Sequence, residues 1–319
     1  PTVVITNPAP VCSPSTINLT ASSVTSGSTS GLTYTYWTNS GATIAYTTPT
    51  TAGNGTYYIK GTTSAGCFDI KPVVATVIPL PVADAGTGGD ECDLDFQLHA
   101  IPSVGTGTWT RTSGPATGTA SFSPSSNSPN AIVTVSEYGT YTFTWTEVNG
   151  TSCSSSETIT VNFYLMPVAN AGTGGNNCGL EFHLNGSMNI GTGIWSLVSG
   201  PGTASFVPPT ANSPTTVVTV TAYGTYTFRW TVVNGTCSNS STVNVTFVGQ
   251  PAADAGSGGQ ECDLDFNLNA VPGPSAGTWS LVSGPGNAIF SLSPNIPDAL
   301  VTVDQFGTYE FEWTTVNVA

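Results

Sequence analysis

Polar and apolar residues alternate along this chain with a period of two, the mark of strands with one buried face. Tyr141, Phe143 and Trp145 alternate with Thr142, Thr144 and Thr146, which sets three aromatics on one face and hydroxyls on the other. Phe96, Leu98 and Ala100 alternate with Asp95, Gln97 and His99, and the run Ala131 to Val135 supplies a further strand. Asn149-Gly150 and Asn234-Gly235 follow the aromatic strands, and Asn-Gly favours the positive φ values of a two-residue hairpin turn.

The pattern repeats. Pro81-Val-Ala-Asp-Ala-Gly-Thr-Gly-Gly recurs from Pro167 and again from Pro251, 86 (167 minus 81) and 84 (251 minus 167) residues further on. Later landmarks keep step: Trp109, Trp195 and Trp279, then Ser113, Ser199 and Ser283 before Gly-Pro, then Tyr141, Tyr226 and Tyr309 after Gly-Thr. Residues 1–80 are looser but hold to the same logic, with Cys12, an alternating Ile17-Asn18-Leu19-Thr20, Trp37, Gly55-Thr56-Tyr57, Cys67 and an apolar run from Val73 to Ile78. Six or seven short strands per unit, with Trp on the third and Tyr opening the sixth, predict an immunoglobulin-like β-sandwich. Four modules are expected: 1–80 of divergent type, 81–166, 167–250, and 251–319, the last truncated before its final strand. No Ser/Gly-rich linker separates them and Pro opens each of the last three, so an extended rod of roughly 150 Å is expected.

Charge then narrows the function. Only 4 Lys+Arg face 18 Asp+Glu, a net charge of −14, and 7% of residues are charged. Such a chain cannot neutralise phosphates, which argues against nucleic-acid partners and against attachment to anionic lipid. The 36 Gly and 23 Pro punctuate strands rather than helices, and no run approaches the ~18 apolar residues of a membrane span. Pro1 opens without Met or a basic and apolar leader, so a fragment or processed chain is expected, with any secretion signal outside it.

Seven cysteines fall as Cys12 with Cys67, Cys92 with Cys153 and Cys178 with Cys237, leaving Cys262. The regular spacing predicts pairing within each module and places the partner of Cys262 just past Ala319. Disulfides imply an oxidising compartment. Zinc is excluded as the rival because Cys-x-x-Cys is missing and His99 and His183 fall at non-equivalent places.

Candidate chemistry is sparse. Two His on solvent faces and no Gly-x-Ser-x-Gly elbow leave nothing for a hydrolytic triad, so no enzyme is expected. The Gly-Thr-Gly-Gly segments lack a following helix and a Lys, and read as turns. Residues 81–319 contain no Lys, which excludes isopeptide cross-links there. Asp84, Asp90, Asp93 and Asp95, with Glu91, form one acidic stretch, and Asp254, Asp263 and Asp265, with Glu261, form another. These are calcium candidates, since hard oxygens suit that ion. Against them, the third module has Asn170, Asn176, Asn177, Gly179 and Glu181 there, and solvated loop acids are the plainer reading. Trp109, Trp195 and Trp279 read as core anchors, while Tyr34, Tyr36, Tyr57 and Tyr58 are candidates for glycan contact.

The motif Ala-x-Ala-Gly-x-Gly-Gly-x-x-Cys, followed by Trp, Ser-Gly-Pro, Gly-Thr-Tyr-x-Phe-x-Trp-Thr and Asn-Gly-x-Cys, resembles the Ig/PKD-like repeats of giant secreted adhesins of Bacteroidota. Cys12-Ser-Pro-Ser-Thr-Ile-Asn-Leu-Thr and Tyr36-Trp37 through Lys60 are similar to modules of the gliding-motility adhesin class. The resemblance implies type IX secretion, tandem arrays on the cell surface, and roles in adhesion or gliding. The expected function is a stalk of a large extracellular adhesin, a monomeric rod segment whose partners are its neighbouring repeats, with an extracellular surface or glycan as further contact. The alternatives are a glycan-binding accessory region of a secreted carbohydrate-active enzyme and a structural filament subunit.

Overall fold

The computed structural model describes residues 1–207, 211–273 and 275–316; residues 208–210, 274 and 317–319 lie outside that description. Its elements are β-strands and a short 3-10 helix at Pro49–Thr51, with no α-helix among the described residues. The chain divides into two compact bodies, residues 1–165 with 235–237, and residues 166–234 with 238–319. Each holds two hydrophobic cores.

In the first body, residues 1–80 form β1 (Val11–Cys12), β2 (Thr33–Trp37), β3 (Gly55–Thr62), β4 (Phe68–Ala75) and β5 (Val77–Ile78). Strands β2-β3-β4 make one sheet, and β1 pairs parallel to β5. Ile17 and Leu19 are buried as their alternation predicts, but Ile17 makes an isolated bridge to Ala52 rather than a strand. Trp37 is not an anchor here. Its ring is half-buried and its indole N–H donates to Thr35 Oγ1 at 3.0 Å, while Ile17, Leu19, Val24, Ala52, Ile59, Val73 and Ala75 form the core.

The second module contains β6 (Gly89–Glu91), β7 (Asp95–Gln97), β8 (Thr106–Ser113), β9 (Ala120–Ser123), β10 (Ile132–Val135), β11 (Gly139–Asn149) and β12 (Cys153–Phe163). Two sheets, β6-β12-β11-β8 and β7-β10-β9, face one another. Trp falls on the third strand and Tyr opens the sixth, and the Tyr141 hydroxyl donates to Glu137 O at 2.9 Å, the tyrosine corner of immunoglobulin-like sandwiches.

The third module, which lies in the second body apart from residues 235–237, repeats this arrangement. It comprises β13 (Ala169–Asn170), β14 (Gly175–Cys178), β15 (Glu181–Asn185), β16 (Ser187–Met188), β17 (Thr192–Ser199), β18 (Ala204–Val207), β19 (Thr215–Val220), β20 (Gly224–Asn234) and β21 (Cys237–Val248). Its sheets are β14-β21-β20-β17 and β15-β19-β18, with β13 and β16 paired separately. The fourth module has β22 (Asp265–Asn267), β23 (Ala276–Ser283), β24 (Ala288–Phe290), β25 (Leu300–Val303) and β26 (Glu310–Val316). Here β22-β25-β24 is intact but β23 and β26 stand as a two-stranded sheet. The chain is thus a tandem series of immunoglobulin-like β-sandwiches.

A pair of tryptophans centres each of the last three cores. Trp109 lies opposite Trp145, Trp195 opposite Trp230, and Trp279 opposite Trp313 on neighbouring strands. Their ring centroids are 5.3, 5.2 and 5.2 Å apart. The indole N–H of Trp109, Trp195 and Trp279 donates to the carbonyl of Pro129, Pro214 and Pro297 at 3.2, 3.1 and 3.0 Å. Two residues before each of these Trp stands a glycine, because the second ring of the pair lies over its Cα. A Cβ on Gly107, Gly193 or Gly277 would fall 1.8, 2.1 or 2.1 Å from the ring of Trp145, Trp230 or Trp313. The Gly-x-Trp spacing is therefore a packing rule. Substituting Gly107→Ala is expected to cost about 2–3 kcal/mol by overpacking, read as a lowered melting of the second module. Gly53→Ala, whose Cβ meets nothing within 4 Å, should leave stability nearly unchanged; equal effects would refute the rule.

Candidate functional site at the module junctions

The closing strand of each module decides where its cysteines lie. Strand β12 runs antiparallel to β11 from Cys153 opposite Asn149 to Phe163 opposite Gly139, so Cys153 opens it. Strand β6 adds parallel to the other end, with Glu91 opposite Phe163, and Tyr164 N donates to Glu91 O at 2.8 Å. Cys92 thus sits at the exit of the strand that Cys153 begins. Ten residue steps at ~3.3 Å put roughly 33 Å between those ends, whereas a cystine needs Cα atoms within about 7 Å.

The bonds run between modules instead. Cys12 joins Cys153 with a Cα–Cα distance of 5.5 Å, and Cys92 joins Cys237 at 5.6 Å. This corrects the expected pairing of Cys12 with Cys67, Cys92 with Cys153 and Cys178 with Cys237. A repeat that spaces two cysteines evenly inside modules spaces them evenly between modules too, and strand length alone decides between the two. The register is constant: Cys12 faces Ile78 and Cys178 faces Val248, each at the exit of its module's last strand. Cys67, Cys178 and Cys262 are free and exposed. The loops closed are 141 and 145 residues long, for which chain entropy gives about 5 kcal/mol of stabilisation for either bond alone.

A second contact accompanies each bond. The turn falls one residue later than Asn-Gly suggests, because Asn149 stays in the strand opposite Cys153. Its side chain donates to Pro79 O of the first module at 2.8 Å. The glycine alone takes positive φ, +69° at Gly150 and +62° at Gly235. Both press against the exit of the preceding module: a Cβ would lie 2.8 Å from Ile78 at Gly150, and 2.5 Å from the Tyr164 ring at Gly235.

Near the first junction a carboxylate lies inside the core. Glu147 is 1% exposed. It accepts from Ser103 N at 3.0 and 3.1 Å, from the Ser103 hydroxyl, and from the Trp145 indole at 3.0 Å. Burial pushes its pKa up, but these donors outweigh burial and hold it below the ordinary carboxylate value. The sequence carried the signal: Tyr141, Phe143, Trp145 and Glu147 share one face, and only the acid is out of character.

The acidic stretches serve as turn acceptors. Asp84 Oδ1 takes the N–H of Gly86 at 2.9 Å, Asp93 Oδ1 that of Asp95 at 3.0 Å, and Asp90 Oδ1 the amide of Asn162 at 2.7 Å. Asp254 and Asp263 do the same for Gly256 and Asp265 at 2.9 and 3.2 Å. Asn170 accepts from Gly172 at 2.8 Å in the third module, which shows that the turn needs an oxygen and not a charge. Among the described residues no three His, Cys, Asp or Glu side chains gather as metal ligands. His99 and His183 are exposed on their strands. Tyr34, Tyr36 and Tyr57 pack against the first core rather than forming an open platform, and Tyr58 is half-buried.

No protein-family profile matches the chain, and no curated protein does. Among solved structures it is similar to the titin I-band fragment I67–I69, at 12% identity over 69% of this chain and 89% of that one, TM-score 0.34. It is also similar to the N-terminal eight Ig domains of the Down syndrome cell adhesion molecule, at 12% over 90% and 50%, TM-score 0.31. The insect immune protein hemolin follows at 14% over 99% of both chains, TM-score 0.30. At these TM-scores the fold class rests on strand order and register, and no function is taken from the likenesses.

Two outcomes test the junctions. Non-reducing peptide mapping should return Cys12 linked to Cys153 and Cys92 linked to Cys237, and a Cys92–Cys153 peptide would refute the assignment. Glu147→Gln should destabilise the second module by about 1–3 kcal/mol at pH 7. Because the folded pKa is depressed, that difference is complete above the unfolded carboxylate range and shrinks as pH falls through the folded value. Denaturant melts at pH 7 and pH 3 read it; a difference that grows in acid would overturn the reading.

Proposed function

We propose that the chain is a stalk segment of a large secreted cell-surface adhesin that supports surface attachment and gliding motility. The observation that carries this reading is the pair of cystine links, from the first module to the second and from the second to the third, made in one register. Such bonds serve a series of modules that must stay joined outside the cell, where thiols oxidise. The near-neutral, hydroxyl-rich strands and the net charge of −14 suit an exposed segment with little tendency to self-associate. In this reading the chain acts as a monomer without catalysis. Its partners are its own neighbouring modules, and the contacted surface or glycan belongs to another region of the adhesin.

Retention of the purified, oxidised chain on glass, agarose, chitin and cellulose beads tests it. A stalk shows no saturable retention on any of them, and melts at the same temperature with calcium or with chelator. Saturable binding to one polysaccharide would overturn the stalk reading in favour of a glycan-binding accessory region. A mass that rises with concentration would favour a filament subunit.

A further inference from the structure

Two covalent lines run through the first three modules. Strand β1 ends at Cys12, which bonds to Cys153 at the start of β12, and the backbone then leads through residues 164–174 into β14. Strand β5 leads through residues 79–88 into β6, and Cys92, just after it, bonds to Cys237 at the start of β21. The first line is thus β1, β12 and β14, and the second is β5, β6 and β21. Both cystines join the C-terminal end of one strand to the N-terminal end of the next, so each line keeps one chain direction throughout.

Every one of these modules gives one strand to each line, and the two strands are paired. Strand β1 pairs with β5 over two residue pairs, β6 with β12 over three, and β14 with β21 over four, in parallel each time. One backbone bond follows at the end of each ladder: Ser13 N donates to Ile78 O at 2.8 Å, Tyr164 N to Glu91 O at 2.8 Å, and Gly179 N to Val248 O at 3.0 Å. In the second module the lines are also tied ahead of the ladder. Ala83 N donates to Ser155 Oγ at 3.4 Å and Ala85 N to Glu157 Oε2 at 2.6 Å. Within the ladder the Asn162 amide donates to Asp90 Oδ1 at 2.7 Å.

A pull on the two ends of the chain reaches the lines at opposite ends. From residue 1 it enters the first line at β1, and from residue 319 it enters the second at the end of β21. Without the cystines the whole force crosses each ladder in turn, and the shortest, β1 with β5, sets the limit. With them, force passes from the first line to the second across all three ladders at once. In each ladder the first-line strand is drawn toward its N-terminus and the second-line strand toward its C-terminus. Parallel strands loaded in this way slide along one another, so the evenly spaced bonds between them are strained together and not peeled singly.

We propose that the two cystines make the first three modules share tension, so that nine residue pairs resist where two otherwise yield first. The first module, with the shortest ladder, then opens only when the third does. The use of such sharing rests on the stalk reading, since only a segment under tension gains by it.

Single-molecule stretching of the full chain, held at its two ends, tests the proposal. In the oxidised chain the first three modules should open in one event, at about two to four times the force of the weakest single event of the reduced chain, because forced opening follows the barrier of what is loaded. Cys92→Ser with Cys237→Ser keeps the first line whole and puts the full load on β14 and β21. The third module should then open alone, below the force of the joint event, while residues 13–152 stay closed inside the remaining bond. Cys12→Ser with Cys153→Ser should instead leave the first module to open alone, at the lowest force of all. The comparison of oxidised with reduced wild-type chain decides the matter even where a variant does not fold. An oxidised chain whose first three modules open one at a time, at the forces of the reduced chain, would overturn the proposal and leave the stalk reading standing. Saturable retention on a polysaccharide bead would do the reverse.

Discussion

The second and third modules depend on a closing strand that is hydrogen-bonded along both edges. In the second module β12 lies between β11 and β6, and in the third β21 lies between β20 and β14. The strand sends Ile159, Val161 and Phe163 in one module and Val243, Val245 and Phe247 in the other into the core, and it gives β6 or β14 something to pair with. Tyr226 and Phe228 of the third module are fully buried beneath it. The length of the same strand separates Cys92 from Cys153 and Cys178 from Cys237, so that neither pair can close on itself.

Much of this architecture was legible in the sequence. Period-two alternation located the long aromatic strands, and the Trp and Tyr landmarks named their place in a sandwich, because burial of one face is a local property that each strand writes into its own residues. The tyrosine corner follows from the same landmark. Pairing of cysteines was not legible, since a repeat has no way to distinguish a bond within a module from one to the next. The deciding quantity was the distance along β12, a property of the folded strand.

The acidic stretches show in their hydrogen bonds what a count of carboxylates does not. Counting carboxylates suggests an ion site, yet Asp84, Asn170 and Asp254 perform one task, accepting an N–H two residues on. Substitution of Asp by Asn in the middle copy is neutral to that task and fatal to a charge cluster. Glu147 is the reverse case: a lone acid on an apolar face, held by three donors, that composition passes over and strand periodicity singles out.

The two cystines overlap along the chain, since residue 92 lies inside the loop closed by residues 12 and 153. Consider the segment from residue 12 to residue 237 pulled taut after every strand has come apart. Without the bonds it holds 225 residues (237 minus 12), roughly 770 Å of extended chain. With them, the shortest covalent route crosses from 12 to 153, runs back along the backbone to 92, and crosses again to 237. Only 61 residues (153 minus 92) then lie on the path, roughly 210 Å. Staggered bonds therefore leave a tether whose fully unravelled reach is about a quarter of what its residue count allows, and they do so by running part of the chain backwards.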